Sequence, residues 1–282
     1  MRIGARRSVP GWAVGSAVVA FVLLWAAFGP LPHDPRSPAL SSANQAPGGD
    51  FWFGTTESGV DVFSGVVAAS LSTLPIAFAG VLAGLLAGTA AGIALSGHSP
   101  VQEGFMRLVD LFQSFPVILV AIVVVALAEG DSVNFWLTAA IAVINFPIFL
   151  RIVRGSALVV RTERYVLAAE VMGASRWRVA LRHIVPNVSN VVLAQASLSI
   201  GFGIMAIASL GYLGIGSAPP EPSWGAFIRE GADKLGDGRW WMVVFPSLAI
   251  CLTVLVFNMI SRSISKAGAP SGQAAADQKV SA

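Results

Sequence analysis

Val66-Val-Ala-Ala-Ser-Leu-Ser-Thr-Leu-Pro-Ile-Ala-Phe-Ala-Gly-Val-Leu-Ala-Gly-Leu-Leu-Ala-Gly-Thr-Ala-Ala-Gly-Ile-Ala-Leu95 is a stretch of thirty residues without one charged side chain. About 20 apolar residues in a helix cross the hydrocarbon core of a bilayer, so this stretch reads as a membrane span with length to spare. Five more apolar runs flank it: Trp12 to Phe28 before it, and Phe115 to Ala128, Trp136 to Leu150, Val188 to Tyr212 and Trp240 to Ile260 after it. Of the 282 residues, 55% are hydrophobic and 12% charged, against roughly a quarter charged in a soluble domain. The expected fold is therefore an all-α integral membrane protein with six transmembrane helices. The third and fourth runs are short and also fit a re-entrant pair. Either reading leaves everything after Leu150 on the same side, because the crossings removed are even in number.

The charges lie between the apolar runs. With the N-terminus inside, cytoplasmic segments hold fourteen of the eighteen Lys and Arg, and only Arg36, Arg229, Lys234 and Arg239 fall outside. Basic residues close to span ends set orientation, so both termini are expected in the cytoplasm. The run Trp12 to Phe28 follows Arg2, Arg6 and Arg7 as a secretory signal would. Gly29-Pro30-Leu31-Pro32 is a poor cleavage site, however, and the run is read as an uncleaved first helix. The expected layout is a cytoplasmic N-terminus over 1–11, a first span over 12–28 and a Pro-, Gly- and Ser-rich outer cap over 29–65. A core of five spans over 66–266 and a disordered tail over 267–282 complete it. Basic charge arranged in this way answers to membrane topology rather than to nucleic acid. The one cysteine, Cys251, lies in an apolar run and allows no disulfide framework.

Gly80, Gly84, Gly88 and Gly92 stand four residues apart on one helix face. Helix packing is the preferred reading, with a flexible gating face as the alternative, since small residues at this spacing let backbones approach within lipid.

The polar segment Arg161 to Asn187, inside the loop 160–187, is too polar for the bilayer and too patterned for a linker. It reads as two short helices. Thr162 is placed to cap the first, with Glu163 in its first turn, and Gly173 to end it in a left-handed conformation. Tyr165, Ala168, Ala169 and Met172 form one narrow apolar face. Trp177, Ala180, Leu181 and Ile184 repeat the spacing, flanked by Arg176, Arg178 and Arg182, and Pro186 is expected to close the unit before the fifth span. Such a hairpin is marginal alone in water and suits contact with a partner. The plain alternative is a solvated basic face that only sets topology.

Ala168-Ala169, then Gly173 and His183-Ile184-Val185-Pro186-Asn187 resemble the cytoplasmic "EAA" loop of binding-protein-dependent ABC importer permeases, in the form found among dipeptide, oligopeptide and nickel permeases. The usual Glu falls at Leu167. Phe53 to Ser64 is similar to the family's L-G-T-D-E-x-G-R-D-V-F-S, with Thr56 and Val60 where an acid and a base stand, which suggests a lost surface ion pair. Leu210 to Gly216, Pro219-Pro220, Pro222 to Gly225, Trp240-Trp241 and Pro246 also match. The end departs, with Asn258 to Ser265 in place of N-L-L-G-D-x-L-R-D.

The resemblance implies the type I ABC importer permease fold, a bacterial inner-membrane location and a place as the second of two paralogous permeases. It implies two ABC ATPases, separate or fused, below the membrane and an extracytoplasmic solute-binding protein above. It assigns ATPase coupling to Tyr165, Ala168, Ala169, Met172, Gly173, Ala174, Trp177, Arg178, His183 and Pro186. ATP and magnesium would sit on the ATPases, consistent with the lack of a P-loop in this sequence, and this chain would bind no cofactor and catalyse nothing. His33, His98 and His183 are too dispersed for a metal site.

Candidate pathway residues are Asn145, Asn190, Gln195, Ser197 and Ser199, polar groups within spans. Bonding between helices is the competing reading for each. Glu103, Arg107 and Asp110, at i, i+4 and i+7, read as a local ion-paired face, with partner contact as the alternative. Small peptides are the expected cargo, with nickel complexes and glutathione as alternatives. An ion-coupled secondary transporter is the competing class, and it would place an ionisable relay at mid-membrane, which these spans lack.

Overall fold

A computed structural model describes residues 29–97, 99–129, 132–216 and 220–268, together with Ala17 and Trp25. Apart from those two residues, the expected first span lies outside the described residues, as does the tail beyond Gly268. The helices are α1 (Val62–Ala94), α2 (Pro100–Gln113), α3 (Val117–Val125), α4 (Val133–Arg161), α5 (Arg164–Val171), α6 (Arg176–Val179), α7 (Val185–Tyr212), α8 (Trp224–Ala232) and α9 (Trp241–Gly268). Short 3-10 turns occur at Leu40–Ser42 and Leu235–Asp237, and a π turn, Ala180–Ile184, joins α6 to α7.

Among the described residues four helices are long and apolar enough to cross a membrane: α1, α4, the run Trp177–Tyr212 and α9. Helices α2 and α3 meet at 88° and make a fifth span only if the pair is counted as one broken crossing. The expectation of six spans is thus met by four or five among the described residues. The fourth run is not short. It continues through Arg151 and Arg154 as part of a 29-residue helix, because both guanidiniums find carboxylates on α2. The third run is the interrupted one. Pro116 disfavours helical backbone at Phe115 and turns the chain between α2 and α3.

The glycine ladder is a packing seam. A Cβ on Gly80 would lie 2.6 Å from Cβ of Ile141, on Gly84 2.8 Å from the Ala142 carbonyl, on Gly88 2.6 Å from the Phe146 carbonyl and on Gly92 2.8 Å from the Leu150 carbonyl. Four successive turns of α1 therefore rest directly on the backbone of α4. Lipid tails are as apolar as the helices, so this close van der Waals contact takes the place of hydrophobic burial in holding them together.

Helix α1 begins at Asp61, whose carboxylate accepts from the Phe63 and Ser64 amides and from the Ser64 hydroxyl. The outer segment folds over this end as an ordered cap. The Trp241 indole donates to the Thr55 carbonyl at 3.1 Å, the Trp224 indole donates to the Val66 carbonyl at 2.8 Å, and Phe53 stacks on Phe245 at 4.0 Å. Thr56 and Val60 face each other, with the Thr56 amide donating to the Val60 carbonyl and the Val60 amide donating to Thr56 Oγ1. Thr56 is 0% exposed and Val60 half-buried. At the far end Ser261 is buried and its hydroxyl donates to the Ala194 carbonyl at 2.7 Å, tying α9 to α7 where the family sequence has glycine.

The expected local pairing on α2 is also corrected. Glu103 pairs with Arg154 and Asp110 with Arg151, both across to α4, so the acids clamp α2 to its neighbour instead of stiffening their own helix.

Glu230 on α8 accepts the Glu57 amide at 2.8 Å, and Glu57 pairs with Lys234 at 3.2 Å. Burial pushes the Glu230 carboxyl above its ordinary 4.5, opposed by hydrogen bonds from Glu57 and Ser58.

Two predictions follow from these contacts. Gly88→Ala is expected to destabilise the detergent-purified protein by about 1–3 kcal/mol through overpacking, whereas Gly104→Ala, whose Cβ meets nothing within 4 Å, leaves the melting temperature unchanged or slightly raised. For Glu230, the raised pKa means that the folded state holds the proton more tightly. Its contribution is present below about 4.5 and is lost as pH rises through the raised value. Glu230→Gln, which still accepts from the Glu57 amide, is expected to remove this pH dependence. At neutral pH it should raise Tm slightly.

Candidate functional site: the hairpin after the fourth helix

Helix α4 ends at Arg161, with Thr162 as its C-terminal cap. The Thr162 hydroxyl donates to the Val159 carbonyl at 2.8 Å, so this residue ends α4 rather than capping the next helix. The Glu163 carbonyl accepts from the Val166 and Leu167 amides and opens α5. Helix α5 then stops at Gly173, with φ of +81°. The Ala174 amide donates to the Ala169 carbonyl, the outer bond of a Schellman turn with glycine at its left-handed position. Ser175 caps α6, its hydroxyl accepting from the Arg178 amide at 3.3 Å.

The second arm is not closed by Pro186. Helix α6 passes through the π turn into α7, and Trp177–Tyr212 is one 36-residue helix. Proline lacks an amide proton and would break an α-helical ladder. The wider π turn just before it, in which the Val185 amide donates to the Ala180 carbonyl, takes up the misfit. The second arm of the hairpin is therefore rigidly continuous with a membrane span.

Asn187 joins the two arms. Its Nδ2 donates to the His183 carbonyl at 2.7 Å and to the Tyr165 hydroxyl at 3.1 Å, while the Tyr165 and His183 rings lie 5.7 Å apart. The hairpin core is Val166, Val179, Ala180 and Ile184, all buried. Of these, Val166 and Val179 carry no signal in the expected stripes.

The remaining apolar side chains point outward. Tyr165, Ala168 and Met172 are exposed, Ala169 and Ala174 are half-buried, and Trp177 is 69% exposed. Leu167 and Val171 widen this patch beyond the residues expected from spacing, with Val171 at 88% and Met172 at 80% exposure. Arg178 and Pro186 are also exposed and His183 is half-buried. An apolar patch of this kind, rimmed by arginines, marks an interaction surface.

Of the five candidate pathway residues only Gln195 and Ser199 meet. Asn145 is buried where Gly84 meets α4, and its Nδ2 donates to the Ile141 carbonyl at 2.8 Å. Ser197 and Ser199 are buried, Ser197 donating to the Leu193 carbonyl, and the half-buried Gln195 donates to Ser199 at 3.4 Å. Asn190 is exposed.

A cavity of about 1160 Å³ opens instead among the C-terminal end of α1, the start of α2, the hairpin and α7. Its polar lining includes Thr89, Ser96, Gln102, Arg161 and Ser189, drawn from four segments. Arg161 Nε donates to Ser96 Oγ at 3.0 Å. Among the described residues no group of His, Cys, Asp and Glu could hold a metal ion.

Residues 80–270 match the family model described as "Binding-protein-dependent transport system inner membrane component". The chain is 36% identical over 259 residues to the "Probable D,D-dipeptide transport system permease protein DdpC" of Escherichia coli (strain K12), covering 90% of this chain and 86% of the relative. It is 34% identical to the "Dipeptide transport system permease protein DppC" of Alkalihalophilus pseudofirmus, over 90% of this chain and 84% of that one. It is also 34% identical to the "Glutathione transport system permease protein GsiD" of Pectobacterium atrosepticum, over 90% and 86% respectively. The chain thus belongs to the inner-membrane permeases of binding-protein-dependent ABC importers.

Proposed function

We propose that this chain is the second of two paralogous permeases in an ATP-driven importer of short peptides, that it lines half of the pathway, and that it takes its driving force from an ATPase through the hairpin 160–187. Permeases of this family are non-catalytic membrane components that bind no cofactor, and ATP is hydrolysed by separate chains. The full chain would cross the bacterial inner membrane six times, with both termini in the cytoplasm, as its basic residues favour. Its partners would be the other permease, two ABC ATPases or one fused pair, an outer solute-binding protein and the surrounding lipid.

The observation that carries this reading is the outward apolar face of the hairpin. Tyr165, Ala168, Met172 and Trp177 are presented to solvent by a glycine turn that fixes their geometry. Such a face is unfavourable in water alone and suits a groove on a partner. One arm continues into α4 and the other, through the π turn, into α7. A displacement of the hairpin is thereby delivered to two spans at once. Glutathione is the second reading for the cargo, since relatives named for its transport match as well as those named for dipeptides.

Gly173→Asp tests the coupling role. A Cβ at Gly173 meets nothing within 4 Å inside the chain, so the substitution acts through the left-handed backbone and on whatever seats against the turn. The expected outcome is loss of ATP-driven uptake with normal membrane insertion, while Gly173→Asn, which tolerates this backbone better, retains part of it. Uptake at the normal rate in Gly173→Asp would overturn the role. Uptake of radiolabelled dialanine against radiolabelled glutathione by the assembled transporter separates the two cargo readings.

A further inference from the structure

A second groove, of about 500 Å³, lies where α2 meets the α1–α4 seam. Ala83 and Ala87 of α1, Leu108 and Phe112 of α2, and Val143 and Phe146 of α4 line it, and no polar side chain does so among the described residues. On α1 these residues belong to the charge-free stretch Val66 to Leu95. On α4 the groove ends at Pro147, four residues before Arg151, an axial distance of about 6 Å at about 1.5 Å per residue. The groove is therefore set in hydrocarbon, with charge close to its end. An apolar groove left empty forfeits the dispersion contacts of its walls, and lipid acyl chains are the apolar material around a span.

The charge beside the groove is not balanced. Glu103 and Asp110 of α2 pair with Arg154 and Arg151 of α4. Arg107 lies four residues after Glu103 and three before Asp110, so it shares their side of α2. It directly precedes Leu108, which lines the groove. Its side chain is exposed and forms no ion pair among the described residues. Two acids thus stand against three arginines, and one positive charge is left over. A basic residue at a gap between membrane helices suits an anionic lipid headgroup. A zwitterionic headgroup would bring its own cation towards Arg107, at an electrostatic cost.

We propose that this groove holds an acyl chain of an anionic phospholipid whose phosphate pairs with Arg107. The bound lipid braces α2 against α1 and α4, beside the ion pairs to Arg151 and Arg154. The site is independent of the cargo and goes beyond the import reading above.

The test uses the transporter purified with its partner chains and reconstituted in dioleoylphosphatidylcholine. A trace of phosphatidylglycerol or of phosphatidylcholine, each with a diazirine in one acyl chain, is added and illuminated, and adducts are mapped by mass spectrometry. Adducts are expected at Leu108, Phe112, Val143 and Phe146. Their yield should be about fivefold higher from phosphatidylglycerol, the preference that one basic residue near the membrane surface gives. No such preference is expected at Leu252 and Leu255, which are exposed on α9. Arg107→Gln should bring the two probes to equal yield in the groove, and Arg107→Lys should keep the preference. Ala87→Leu, which fills the groove, should lower the yield from both. Equal yields from the two probes in the unmodified protein, or the same preference at Leu252 and Leu255, overturn a specific anionic site. A preference that survives Arg107→Gln overturns the role of Arg107. Absence of groove adducts in the assembly, as when a helix of a partner chain covers the groove, overturns the lipid site. ATP-driven uptake by the same preparation tests the import reading separately.

Discussion

The close seam between α1 and α4 is the contact on which the rest of the structure depends. Inside a bilayer no hydrophobic gain accompanies helix association, so two helices must fit well enough to replace lipid contacts with better ones. Gly80, Gly84, Gly88 and Gly92 achieve that by bringing the α1 backbone against α4 over four turns. The seam fixes α4, and α4 leads without a linker into the hairpin. The ion pairs from Arg151 and Arg154 to α2 tie the C-terminal half of the same helix from another side. An added methyl anywhere on the seam would therefore disturb more than local packing.

The hairpin is a tightly braced unit. Its turn is a glycine in the left-handed region, its core is four small or branched apolar residues, and its arms are tied through Asn187. The second arm enters α7 through a π turn, which spares the helix a break at Pro186. Under the proposed coupling role, motion of the outward face would be passed to α4 and α7. The cavity lined by Thr89, Arg161, Trp177 and Ser189 lies between these elements.

Much of this was legible in the sequence, for physical reasons. Charge-free runs mark spans because charge is excluded from hydrocarbon, and the Gly173 turn is legible because few other residues adopt its backbone. The end of α4 was not legible, since Arg151 and Arg154 resemble a boundary until their partners on α2 are seen. The spacing of Glu103, Arg107 and Asp110 is equally compatible with pairing along a helix and across helices. Pro186 normally signals a stop, and no pattern announced the π turn that carries the chain past it. Polar residues within spans were visible, but Asn145 and Ser197 bond within their own helices. The cavity was hidden because its lining comes from four separate segments that only the fold brings together.

The most direct measurement of the central claim is site-specific crosslinking from the tip of the hairpin. A single cysteine at Met172, in the Cys251→Ala background, would be oxidised against cysteines placed along the cleft of the ATPase subunits in native membranes. The account predicts a specific disulfide to the ATPase whose yield changes with ATP, formed from the cytoplasmic side. A Met172→Cys that captures no ATPase in an assembly that still co-purifies, or that reacts only with reagents outside the cell, would contradict it.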